Sequence, residues 1–210
     1  MTPEEFKNSW RDTDQPLSPI SPVRLFDFNM QPGTNAFLVK SGLPVYASPL
    51  ISFAEDSDDI YHGISKFTVQ FDTGDQRDAF EKYIVIGSCH EGDVIVVNTA
   101  DKDLIELLDH KDNYKPLFFN TSISHLADFL IIYRDFEDDI MKEQGDEGIM
   151  NSLFTDAQFD HLKQRMMEID ERALTENGFW KGELELLLSE RQDYLDSLKE
   201  SVADDTSDDV

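Results

Sequence analysis

The sequence predicts an α+β fold: a curved, mostly antiparallel sheet backed by helices, with a helical C-terminal part. Short apolar runs recur about every ten residues through the middle of the 210-residue chain, a spacing typical of an antiparallel meander. After residue 120 the apolar residues change to helical spacing. No internal repeat is present, and a proline-rich linker is the strongest break. We therefore expect residues 1–200 to form a single domain.

Residues 1–22 are expected to form a short helix followed by that linker. Thr2 suits the N-cap, Pro3 the first helical position, and Glu5 completes a capping box. The linker cannot be helical because prolines stand at positions 16, 19 and 22.

The middle of the chain is predicted to be mainly strands. A short helix over 36–39 should end at Ser41–Pro44, where glycine and proline stop it. The alternation of Phe67, Val69 and Phe71 with polar residues predicts a strand with one wet face. A continuous apolar run that ends at Gly87 predicts a central strand. The predicted strands from this run onward are 83–86, 94–97, 104–108 and 117–119.

Helices are predicted after residue 120. Ser122 can cap a long helix with an apolar stripe, and Thr155 with Gln158 forms a second capping box. A last helix should run from about residue 182 to 198. Ser201–Val210 contains four aspartates and little to bury, so we expect a disordered acidic tail.

The chain is strongly acidic. Acidic residues outnumber basic ones 44 to 18, which gives a formal net charge of -26. Such a field repels nucleic acid and anionic membranes and steers basic proteins toward the chain. The plain alternative is that the charge only maintains solubility. We expect a basic protein partner, no nucleic acid and no membrane.

The sequence also predicts a cytoplasmic protein. The N-terminus lacks both the basic start and the apolar run of a secretion signal. The apolar stretch Phe129–Tyr133 is far too short to cross a bilayer. Cys89 is the single cysteine, which excludes an internal disulfide framework.

No pattern in the sequence indicates catalysis, a metal site or a cofactor. Cys89 and His90 are adjacent, so on a strand their side chains point to opposite faces and cannot easily pair. Gly87–Gly92 lacks the lysine and hydroxyl residue of a phosphate loop and suits a hairpin turn better. The five histidines show no metal-ligand spacing, and His125 is expected to be a packed structural residue. We predict that the protein is not an enzyme.

One acidic loop is the candidate partner site. Residues 55–61 concentrate acids beside an aromatic residue between the first helical part and the sheet. Its candidate contact residues are Asp56, Asp58, Asp59 and Tyr61. An ordinary solvated loop is the plain alternative. The competing acidic patch at 135–139 contains Phe136, which the helical core stripe already explains.

The order of these signals resembles the SUKH superfamily, specifically its fourth group of bacterial immunity proteins. The resemblance covers about residues 30 to 200 and rests on apolar and turn residues. Its segments are Ser41-Gly42-Leu43-Pro44, Tyr83-Ile84-Val85-Ile86-Gly87, Asp93-Val94-Ile95-Val96-Val97, Leu104-Ile105-Glu106-Leu107-Leu108-Asp109 and Leu117-Phe118-Phe119-Asn120-Thr121-Ser122.

The resemblance implies an immunity protein that binds and neutralises a cognate polymorphic toxin, often a nuclease. A nuclease must be basic to hold its substrate, which agrees with the acidic excess. The resemblance carries over no catalytic residue. Three alternatives stay open: an acidic regulatory or scaffold protein, a nucleic-acid mimic with a non-toxin partner, and a cryptic enzyme or small-ligand binder.

We predict that Ser201–Val210 is dispensable for folding, because almost none of its residues would gain stability from burial. Its deletion should shift the melting temperature by less than a few degrees, as expected for a surface change of about 0.5 kcal/mol. Thermal unfolding followed by circular dichroism measures this. A larger drop would mean that the segment docks on the domain.

Overall fold

The computed structural model describes residues 1–11, 15–89, 92–175 and 178–205, the last six of these by backbone alone. The helices are α1 (Pro3–Ser9), α2 (Pro22–Leu25), α3 (Pro32–Lys40), α4 (Phe67–Gln70), α5 (Arg77–Phe80), α6 (Ile123–Met150), α7 (Asp156–Asp170) and α8 (Phe179–Asp205). The strands are β1 (Leu17–Ser18), β2 (Leu43–Pro44), β3 (Tyr46–Ala47), β4 (Ile51–Phe53), β5 (Ser65–Lys66), β6 (Tyr83–Cys89), β7 (Asp93–Asn98), β8 (Leu104–Asp109) and β9 (Lys115–Asn120).

The main sheet has seven strands in the order β3-β4-β6-β7-β8-β9, and β5 also pairs with β6. Every pairing is antiparallel, so the predicted α+β class and the meander from β6 to β9 are confirmed. Strand β6 continues through Gly87 to Cys89, beyond the predicted end. A Cβ on Gly87 would lie 2.3 Å from the Ser52 carbonyl oxygen, so glycine is needed where β6 meets β4.

Both faces of the central strands are buried. One face joins the main core formed with α1, α3, α6 and α8, and the other joins a smaller core beneath α4 and α5. Strand residues of the main core are Ile84, Ile86, Ile95, Val97, Ile105, Leu107 and Phe119. Strand residues of the smaller core are Tyr83, Val85, Val94, Val96 and Leu108.

The predicted strand at Phe67–Phe71 is wrong, because Phe67–Gln70 forms one helical turn. The phenyl rings of Phe67 and Phe71, four residues apart, stack with their centroids 4.5 Å apart. Phe67 also stacks on Phe80 at 5.1 Å and is fully buried, whereas Val69 is 53% exposed. The spacing of four residues between Phe67 and Phe71 fits one face of either element, and the need to cover the second sheet face decides for the helix.

The long C-terminal helices follow the predicted caps. The Ser122 side chain accepts a hydrogen bond from the His125 backbone N–H, and Thr155 with Gln158 forms the capping box. Helix α6 buries the predicted stripe and is broken at Gly145, where φ is +66°. No helix in the described part of the chain has the length and apolarity of a membrane span.

Trp180 at the start of α8 connects the sheet to the helices. It is fully buried, and its indole N–H donates to the Asn120 side-chain oxygen on β9 at 3.0 Å. Its ring contacts Phe119 of β9 and both Phe129 and Tyr133 of α6. The indole therefore fixes one sheet edge against two helices.

Helix α8 is longer at both ends than the predicted 182–198. It begins at Phe179 and its backbone stays helical through Asp205, so it includes the first part of the predicted tail. Residues 206–210 lie outside the described residues. The dispensability of Ser201–Val210 stays a prediction.

We expect Phe67→Ala to lower the free energy of unfolding by about 3–5 kcal/mol, because it empties the centre of the smaller core. Val69→Ala, on the exposed side of the same turn, should change it by less than about 0.5 kcal/mol. Urea denaturation of both variants measures the difference. A comparable loss in the two would contradict the helical turn.

Candidate functional site

The predicted acidic loop is fastened to helix α2 by Arg24. The Arg24 Nε lies 2.6 Å from an Asp56 carboxylate oxygen, and the same guanidinium pairs with Asp58. The backbone N–H and hydroxyl of Ser21 also donate to Asp56, at 3.1 and 2.9 Å. The Ser21 N–H, its hydroxyl and Arg24 lower the pKa of Asp56, and Arg24 lowers the pKa of Asp58. Asp56 is thus a brace within the protein as well as a surface charge.

Asp59 and Tyr61, the other two predicted contact residues, form a hydrogen bond within the loop. The Tyr61 backbone N–H donates to Asp59 at 2.8 Å and, with His62 at 3.2 Å, lowers the pKa of the Asp59 carboxyl. The Tyr61 side chain stays 73% exposed.

Helix α2 and the residue after it place exposed apolar side chains near the acidic loop, which the sequence pattern does not single out. Val23 is 80% exposed and Phe26 is 86% exposed. In the sequence, Val23–Phe28 is only a short apolar segment, and such a segment equally predicts core. Because Arg24 ties α2 to the acidic loop, we treat residues 22–26 and 55–61 together as the acidic loop surface.

The competing acidic patch at 135–139 is engaged internally. Asp135 pairs with Arg134 at 2.8 Å and with Arg165 at 3.2 Å, while Phe136 is buried as the helical stripe predicts. Glu137, also in this patch, lines a separate cleft.

A cleft of about 1070 Å³ opens between helix α6 and the β3–β4 hairpin. We call it the hairpin cleft. Its lining includes Leu130, Arg134 and Glu137 of α6 and Tyr46, Ser48 and Leu50 of the hairpin. A smaller groove of about 360 Å³ is lined by both Tyr46 and Tyr61. Tyr46 therefore joins the hairpin cleft to the acidic loop surface.

Glu137 carries the main electrostatic feature of the cleft. Burial raises the pKa of its carboxyl, the Ser48 hydroxyl donates a hydrogen bond that lowers it, and the charge of Asp138 raises it again. No described lysine or arginine forms an ion pair with Glu137. A partly buried carboxylate without a paired cation is costly for the free protein.

Asp93, Asp109 and His110 form a cluster beside the cleft, with potential metal-ligand atoms within 4.8 Å of one another. Asp93 already accepts from the His110 backbone N–H at 3.0 Å and lies 2.7 Å from its ring Nδ1. Asp109 accepts from the backbone N–H groups of the following 3₁₀ turn. Internal hydrogen bonds explain this cluster, and it gives no reason to infer a metal.

Cys89 is a buried residue at the end of strand β6. Burial, and then the charges of Asp93 and Glu183, raise the pKa of its thiol. The thiolate is therefore disfavoured. His90, the other half of the candidate pair, lies outside the described residues.

The comparison with known families agrees with this architecture. The model of the family described as SUKH-4 immunity protein matches residues 16–187. The chain belongs to the SUKH-4 immunity protein family. The predicted resemblance is thereby confirmed, and membership implies toxin immunity through a cognate toxin protein. No curated protein and no solved structure shows a detectable match to this SUKH-4 protein.

We expect Glu137→Gln to stabilise the free protein at alkaline pH. Because the pKa of Glu137 is raised on folding, ionising it costs stability, and this cost grows as pH rises from the ordinary glutamate pKa to the folded pKa and stays constant above it. Above the folded pKa the variant should melt about 2–4 °C higher, which corresponds to about 1 kcal/mol for a domain of this size. The gain should shrink as pH falls below the folded pKa toward the ordinary glutamate value. Calorimetry across this range would contradict the assignment if the gain were absent or independent of pH.

Proposed function

We propose that this SUKH-4 protein neutralises a basic, nuclease-type toxin domain in the cytoplasm by stoichiometric binding, without catalysis or cofactor. The net charge of -26 supports this partner, because a nuclease carries positive charge where it holds nucleic acid. Opposite fields accelerate the encounter and discriminate against acidic bystanders.

The acidic loop surface is the site we assign to the toxin. The observation that carries this assignment is the exposure of Phe26 and Tyr61, at 86% and 73%, beside a row of carboxylates. Large aromatic side chains surrounded by charge are typical anchors of protein interfaces. Arg24 and Asp56 hold the loop and helix α2 in one arrangement, which reduces the entropy lost on binding.

The partner can be identified genetically. An immunity gene is expected to neighbour the gene of a large secreted protein with a toxic C-terminal domain. Co-expression should restore growth to cells that produce that domain, and purified protein should inhibit its nuclease activity at a 1:1 ratio. Equal inhibition of an unrelated basic nuclease would favour the nucleic-acid mimic. Growth inhibition that persists despite co-expression would favour the regulatory or scaffold role.

Two variants test the charged and aromatic parts of the acidic loop surface. Glu55→Lys with Asp58→Lys should slow toxin association about tenfold at low salt and flatten its salt dependence. These positions keep Asp56, which pairs with both Ser21 and Arg24, whereas Asp58 pairs with Arg24 alone. Tyr61→Ala should instead accelerate dissociation by about tenfold or more, as for an interface anchor. Surface plasmon resonance at two salt concentrations separates the two rates.

The matched controls change exposed residues on other elements. Asp160→Lys with Glu168→Lys alters the net charge equally on helix α7, and Met150→Ala removes a side chain that is 81% exposed. If the controls alter the kinetics as strongly as the loop variants, or if both sets leave them unchanged, the toxin binds elsewhere.

A further inference from the structure

The hairpin cleft, which Lys111 also lines, contains the carboxylate of Glu137, with which no described lysine or arginine forms an ion pair. Arg134 is the cationic residue of α6 beside Glu137, but its guanidinium is engaged elsewhere. It donates to the Ser9 carbonyl at 3.0 Å and to Asp135 at 2.8 Å, and it lies 5.4 Å from the Trp10 ring centroid. Glu137 keeps a single described hydrogen-bond donor, the Ser48 hydroxyl.

Two residues in the wall of the cleft expose large side chains to solvent in the free protein. Tyr46 is 60% exposed and Leu50 is 78% exposed. Leu50 also has a φ of +50°, a conformation that costs a bulky residue about 1 kcal/mol or more. An exposed leucine held in this backbone conformation indicates a surface shaped for contact.

A guanidinium group matches this combination of features. It is planar and weakly hydrated, it pairs with a carboxylate through two parallel N–H groups, and it stacks on aromatic rings. Its three-carbon stem is apolar and can lie along side chains such as Leu50. A volume of about 1070 Å³ lies at the upper end of the range of ligand clefts, about 300–1,000 Å³, so the cleft has room for an arginine side chain.

We propose that the hairpin cleft receives an arginine side chain of the toxin, which pairs with Glu137 in a cleft also lined by Trp10 and Tyr46. This inference rests on the proposed function and adds a second, deeper contact to it. Tyr46 lines both the cleft and the groove that contains Tyr61, so the two contacts belong to one continuous surface.

The charge of the chain argues against a second copy as the occupant. Two molecules of net charge -26 repel each other, and the approaching surface would bring further carboxylates to Glu137. A neutral occupant would bury the carboxylate still further without pairing it. An arginine both supplies the missing cation and removes the cost of the buried charge.

The first experiment uses a small probe and needs no toxin. We would titrate the full ¹⁵N-labelled chain at pH 7.5 with Nα-acetyl-arginine N-methylamide and follow both tryptophan indole N–H signals. The neutral isostere Nα-acetyl-citrulline N-methylamide is the matched control ligand. Trp10 lines the cleft, whereas Trp180 is fully buried and hydrogen-bonded to Asn120, so it is an internal control.

The Trp10 signal should shift with a Kd in the millimolar range, as for one ion pair with stacking, while Trp180 stays unchanged. Citrulline, and arginine with the Glu137→Gln variant, should bind at least tenfold more weakly. No shift at Trp10, or equal binding of the two probes, would overturn the arginine site. A Trp10 shift that depends on protein concentration alone would assign the cleft to a second copy and likewise overturn it.

The second experiment uses the toxin complex. Glu137→Gln should accelerate dissociation of the toxin about tenfold or more, whereas Glu147→Gln, at an exposed position further along α6, should not. Unchanged dissociation in Glu137→Gln would overturn the inference and leave the proposed function intact. Probe binding at Glu137 without any toxin neutralisation would instead contradict the proposed function and retain the arginine site.

Discussion

The central strands carry apolar side chains on both faces, and each face therefore requires a cover. The long helix α6 and the first part of α8 cover one face, while the single turns of α4 and α5 cover the other. The long helices all pack on the first face. The second face is therefore covered only by a small aromatic cluster around Phe67 and Phe80. At the β3–β4 edge, Ile51 and Phe53 still belong to the main core, whereas Tyr46 and Leu50 are exposed.

The acidic charge has two different physical roles in this arrangement. Some carboxylates are used within the fold: Asp56 joins the loop to Ser21 and Arg24, and Asp170 accepts from the backbone N–H and hydroxyl of Thr121. Glu137 is different, because burial raises its pKa and no described lysine or arginine forms an ion pair with it. A stabilising brace and a costly charge are both acidic residues in the sequence, and their surroundings distinguish their roles.

The edge of the sheet places these features in one region. Tyr46 and Leu50 lie on the hairpin, and Tyr61 follows in the loop after β4. Phe26 comes directly after helix α2, which pairs with this loop through Arg24. A surface of anchored aromatic groups and carboxylates suits a basic protein better than a small ligand. The hairpin cleft gives this surface depth, so that charge can be paired away from water, where an ion pair is least screened.

The sequence by itself determined the elements whose causes are local. The capping boxes at Thr2 and Thr155, the cap at Ser122 and the apolar period of β6 to β9 depend on neighbouring residues, and all are found. It also gave the class of partner expected from charge and from the family resemblance. Tertiary structure decided the features that depend on contacts between distant segments. These are the helical turn at Phe67, which the second sheet face requires, the ion pair between Arg24 and Asp56, and the cleft around Glu137. All three depend on tertiary structure for the same physical reason. Burial and pairing are properties of a position in space, so the energies and roles of side chains of the same type differ only once the fold has brought their neighbours together.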